Sequence, residues 1–72
     1  IEQEKRMKLI LQAISKLEEE YDYAKFDELR DILKREFKLE YPSKLDLLSD
    51  LNLLKKNGEI YEPKHMCYKV VR

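Results

Sequence analysis

Leu54-Lys55-Lys56-Asn57-Gly58-Glu59-Ile60-Tyr61-Glu62-Pro63-Lys64-His65-Met66-Cys67-Tyr68-Lys69-Val70-Val71 is the stretch that decides the fold of this chain. Gly58 is the only glycine in the sequence. It follows a helical pattern that ends in two lysines, which complement the negative end of a helix dipole, so it is placed to take the left-handed conformation that closes a helix. Beyond it, residues 59–62 alternate as a strand, 63–66 read as a loop and 67–71 alternate again, so the chain ends in a β-hairpin. Tyr61 and Tyr68 sit on the two facing strands and are expected to pack across the hairpin.

Upstream of Gly58 a helix is expected over 44–57. With about 100° between residues, Leu47, Leu48, Leu51 and Leu54 gather on one side, leaving Asp46, Ser49, Asp50, Leu53, Lys56 and Asn57 on the other. Pro42 disfavours helix at Tyr41, and Ser43 with Asp46 three residues on gives a start resembling a capping box. A second helix runs from Phe26 through Leu29, Ile32 and Leu33 to Phe37, with Asp27 and Glu28 at its positive end. Met7, Ile10, Leu11, Ile14 and Leu17 mark a first helix over 2–20. Between these two, Tyr21-Asp22-Tyr23-Ala24-Lys25 forms either a very short strand or an extended link. Three helices followed by a C-terminal β-hairpin wing make a mainly helical α+β fold, the winged helix-turn-helix, as one domain over 1–72.

Composition narrows the function. Seventy-two residues leave no room for a second domain. Fifteen basic residues balance fifteen acidic ones, so the net positive field behind most non-specific nucleic-acid affinity is missing and any DNA contact must be local. One glycine excludes the P-loop and the dinucleotide fingerprint, which need several. Cys67 is the only cysteine, so no internal disulfide forms and an intracellular setting fits best. No apolar run approaches the ~20 residues that span a bilayer, so no membrane association is expected. The charged opening Ile1-Glu2-Gln3-Glu4-Lys5-Arg6 reads as the start of a fragment from a longer chain.

The third helix of a helix-turn-helix normally enters the major groove with basic and polar side chains. Asp46 and Asp50 on its outward face oppose this, because each would approach phosphates of its own sign. Together with Leu53, nearly opposite the leucine cluster, they are the candidates for contact with a protein partner, although a single exposed leucine is also ordinary. The alternative is a DNA-binding domain, as in a transcription regulator, with Lys64 and His65 at the wing tip, Lys69 on the returning strand and Arg72 at the end placed on phosphates. Solvated charge on an exposed hairpin accounts for the same four residues. His65 and Cys67 are too few for a zinc site, so neither metal nor cofactor is expected. Cys67 is expected to pack as a small apolar strand residue without an activating base, and Glu18-Glu19-Glu20 to be a solvated helix end.

Residues 54–63 and 67–71 resemble the extreme C-terminal winged helix of archaeal minichromosome maintenance (MCM) proteins, the replicative DNA helicases. Ile60-Tyr61-Glu62-Pro63 carries most of the likeness. Glu4-Lys5-Arg6-Met7-Lys8-Leu9-Ile10 and Ile14-Ser15-Lys16-Leu17-Glu18-Glu19-Glu20 are similar to that module's first helix, and Ala24-Lys25-Phe26 with Asp31-Ile32-Leu33-Lys34 to its second, so the resemblance covers almost the whole chain. It implies an ATP-binding, homo-hexameric parent helicase, cytoplasmic and nucleoid-associated, whose motor lies upstream. The fragment itself would be a non-catalytic, monomeric module that regulates the motor or docks an origin-recognition initiator protein, with weak or no DNA binding. No ATPase residue of the family has a counterpart here.

Overall fold

The computed structural model describes residues 2–72, and Ile1 of the charged opening lies outside the described residues. Its elements are α1 (Gln3–Glu20), β1 (Ala24–Lys25), α2 (Phe26–Phe37), α3 (Lys44–Lys56), β2 (Ile60–Lys64) and β3 (Cys67–Val70). Three helices and an antiparallel sheet with strands in the order β1-β3-β2 make a mainly helical α+β fold. Among the described residues, no helix is long and apolar enough to cross a membrane.

The amphipathic periodicity of α1 and α2 is realised in the core. Ile10, Ala13, Ile14 and Leu17 of α1 meet Phe26, Leu29, Ile32 and Leu33 of α2, while Met7, Leu11 and Phe37 pack at the margin. The link from α2 to α3 does more than turn. Lys38 takes a left-handed conformation (φ 56°), and the Leu39 N–H donates to the Leu33 carbonyl at 2.9 Å, which stops α2. The chain then runs extended, with Leu39 and Tyr41 entering the core and Glu40 facing solvent.

Helix α3 is turned from its expected orientation. Its buried side is Leu47, Asp50, Leu51 and Leu54, so Leu48 moves to the flank and Leu45 becomes the exposed leucine. Ser43 is the N-cap residue, but its hydroxyl donates to the Asp46 carboxylate at 3.3 Å and no side chain caps the backbone, so the expected capping box does not close. The far end agrees with the reading of Gly58. Its φ is +75°, its N–H donates to the Lys55 carbonyl, and the Glu59 N–H donates to the Leu54 carbonyl, the paired bonds of a Schellman closure.

Residues 24–25 resolve the open choice before α2 in favour of a two-residue strand. Ala24 pairs with Tyr68 and Lys25 with Cys67, and the Phe26 N–H extends this edge to the Met66 carbonyl at 2.9 Å. The hairpin is tighter than the sequence suggests. β2 continues through Pro63 to Lys64, leaving only His65 and Met66 as the turn, with Met66 left-handed (φ 61°). A register shift between Tyr61 and Lys64 accommodates the proline, which has no N–H to offer a ladder and belongs at a bulge. Tyr61 pairs with Lys69, not with Tyr68, so the two tyrosines lie on opposite faces. Tyr68 is buried against the helices whereas Tyr61 is 46% exposed, and the expected packing of one against the other does not occur.

Candidate interaction surfaces

The three residues expected to present α3 to a partner have three different environments. Asp46 is exposed at the first turn. Leu53 is half-buried on the shoulder of the helix. Asp50, expected outside, is only 7% exposed because it accepts from Arg6 and Tyr41 together. The Arg6 Nε reaches Asp50 Oδ2 at 3.0 Å and its Nη2 reaches Oδ1 at 3.3 Å, a two-pronged contact, while the Tyr41 hydroxyl donates to Oδ2 at 2.6 Å. Burial, and then the hydrogen bond to the Asp50 carboxylate, push the Tyr41 phenol well above its ordinary value. The bond to Asp50 likewise holds the Arg6 guanidinium protonated above its usual range. Asp50 thus joins α1, the α2–α3 link and α3, and it is not presented to a partner.

With Asp50 inside, the outward stripe of α3 becomes Leu45, Ser49, Asn52 and Lys56, with Leu48 and Leu53 half-buried on its shoulders. Leu45 is 74% exposed, well beyond Tyr21, Tyr61 and Val71, which are each about half exposed. Its prominence was hidden in the sequence because four leucines at 47, 48, 51 and 54 already gave a complete apolar face. The signal for the true face was Asp50 itself, whose spacing from Leu47, Leu51 and Leu54 places it among them when a partner neutralises it.

The four residues proposed for phosphate contact do not form one patch. Lys64 and His65 lie at the hairpin tip, exposed. The Lys64 ammonium lies over the Tyr23 ring, 5.7 Å from its centroid. Lys69 is half-buried opposite Tyr61. Arg72, at the other end of β3, donates to Glu18 at 2.9 Å. That carboxylate also accepts from the Val70 N–H at 3.0 Å and its side chain is almost covered, so Glu18 is a tether between α1 and β3 and not part of a solvated helix end. Arg72 is held against α1, away from the tip.

Glu62, within the segment that carries the resemblance, clamps the hairpin. It accepts from Lys55 Nζ at 2.8 Å and from the Met66 N–H at 2.5 Å, tying the end of α3 to the turn. The bond from Lys55, reinforced by the Met66 N–H, lowers its pKa below the ordinary carboxylate range. Cys67 is buried in β3. Among the described residues, no group of three His, Cys, Asp or Glu side chains is placed to hold a metal ion. Comparison with known proteins finds no matching family model, curated protein or solved structure.

Proposed function

We propose that this chain is a winged-helix module of a replicative DNA helicase, similar to the C-terminal domain of archaeal MCM proteins, and that it acts by contacting protein. The order α1-β1-α2-α3-β2-β3, with β3 between β1 and β2 and a short wing, supports the winged-helix reading. On this reading the module carries no catalytic step. It modulates the upstream ATPase motor or docks an initiator protein.

The observation that carries the contact role is the outward stripe of α3. A helix that reads base edges needs arginine, lysine or amide side chains at its centre. Here the exposed start of the helix carries Leu45 and Asp46, Ser49 follows, Asn52 and Lys56 come only toward its far end, and the shoulders are half-buried leucines. A prominent exposed leucine beside the Asp46 carboxylate suits a protein partner better than a phosphate backbone, which the carboxylate would repel. Adding the purified chain to the motor fragment of such a helicase is expected to change its ATPase rate. Leu45→Arg should abolish that change in a folded domain, since Leu45 lies outside the core cluster. An unchanged rate with the unmodified chain, on a motor that hydrolyses ATP normally, counts against the proposal.

A further inference from the structure

We propose that the outward face of the three-stranded sheet is a stacking platform for single-stranded nucleic acid, with Tyr61 offering an exposed ring face, Tyr23 seating Lys64 beside it, and Lys25, Lys64 and Lys69 meeting phosphates. The inference does not rest on the helicase reading. It stands on strand register and side-chain chemistry.

Lys25, Cys67 and Lys64 form one cross-strand row through β1, β3 and β2. Two residues further along β3, Lys69 pairs with Tyr61. Residues two apart on a strand point to the same side, so both rows share the face opposite to buried Tyr68 and Ile60. The bulge is what keeps Lys64 with Tyr61, because three steps of regular strand would put them on opposite faces. Tyr23 joins this face through its contact with Lys64.

The charge on this face is available. Among the described residues, Lys25, Lys64 and Lys69 take part in no ion pair, so their charge is not neutralised within the fold. Three such lysines on one face give that face a local positive field even in a chain of zero net charge. Aromatic rings interleaved with such lysines fit a single strand better than a duplex, since a duplex hides its base faces within the stack. Asp22 and Glu28 border the β1 edge beside Tyr21, Tyr23 and Lys25, and their like sign ends the phosphate path at Lys25.

The test is fluorescence anisotropy of the 72-residue chain with labelled oligodeoxythymidine of about a dozen nucleotides, across a salt series. Binding is expected, with a log–log salt slope of about −2, because three phosphates contribute roughly 0.7 each on a single strand. Tyr61→Ala should weaken it by roughly tenfold while Tyr61→Phe stays near the parent, and Lys69→Gln should flatten the slope by roughly 0.7. An oligouridine arm tells whether DNA or RNA is preferred, and tight binding of either supports the platform. No binding at low salt, tighter binding to a duplex, or an affinity indifferent to Tyr61→Ala overturns it. So do amide shifts at Tyr61 and Lys69 that appear only with a motor fragment, because they assign the face to a protein partner.

Discussion

Removing the Asp50 carboxylate leaves the Tyr41 hydroxyl and the Arg6 guanidinium without their shared acceptor. Arg6, whose side chain is 27% exposed, can turn toward water, but buried Tyr41 cannot. Asp50→Ala is therefore expected to destabilise the chain by roughly 2–3 kcal/mol. Asp50→Asn, which keeps an acceptor for Tyr41 and removes the charge, should cost less, about 1 kcal/mol. Urea unfolding of the two variants checks the order, and equal losses would mean that a neutral acceptor cannot replace the carboxylate, whose charge then carries the stabilisation. Two left-handed residues make a second pair. Gly58 has nothing within 4 Å of where a Cβ would sit, so Gly58→Ala meets no clash and should lose only the backbone strain, roughly 1 kcal/mol. Lys38 is in the left-handed region with an exposed side chain, so Lys38→Gly should gain about 0.5–1 kcal/mol in the same measurement.

At the scale of elements, the hairpin depends on Glu62. Its carboxylate is more acidic folded than unfolded, so the stabilisation it provides is present at neutral pH. That stabilisation is lost as pH falls from the ordinary range near ~4.3 through the lower folded value. Glu62→Gln should cost about 1 kcal/mol and speed hydrogen exchange at the Met66 amide, and acidification should reproduce this faster exchange in the parent. Unchanged Met66 exchange in the variant would show that the turn holds without the clamp. The hairpin and the helices were legible in the sequence because their signals are local: Gly58, the alternation after it, and apolar periodicity in α1 and α2. The turn's true length was not, because it depends on a bulge that lets Pro63 remain within β2, and a bulge has no composition of its own. The orientation of α3 escaped for a related reason. Four leucines outvoted one aspartate until Arg6, 44 residues away in sequence, supplied the charge that lets Asp50 enter the core.

For the whole molecule, the distribution of charge matters more than its zero sum. Glu18, Asp50 and Glu62 draw Arg72, Arg6 and Lys55 into contacts that join separate elements, and this leaves the sheet's lysines without acidic partners. Which residues share the sheet's outward face was therefore only half legible: Lys64 and Lys69 were visible as hairpin residues, while Lys25 reaches that face through strand pairing and Tyr23 through its contact with Lys64, neither of which a local pattern announces. The same interior sets the alkaline limit of the fold. Tyr41 and Tyr68 both have raised phenol values, Tyr41 through burial and Asp50, Tyr68 through burial followed by the Glu62 charge. A phenol whose folded value is raised contributes stability that is fully present below the unfolded value of ~10 and is lost as pH rises toward the folded one. Stability measured by urea unfolding should hence decline above about pH 10, by up to roughly 1.4 kcal/mol per pH unit for each of the two phenols. Lysine deprotonation weakens ion pairs in the same range, so the decisive comparison is with Tyr41→Phe and Tyr68→Phe. Each variant should show a shallower alkaline decline than the parent, whatever stability it loses at neutral pH. If both retain the full slope, the decline belongs to the lysines and the buried phenols play no part in it.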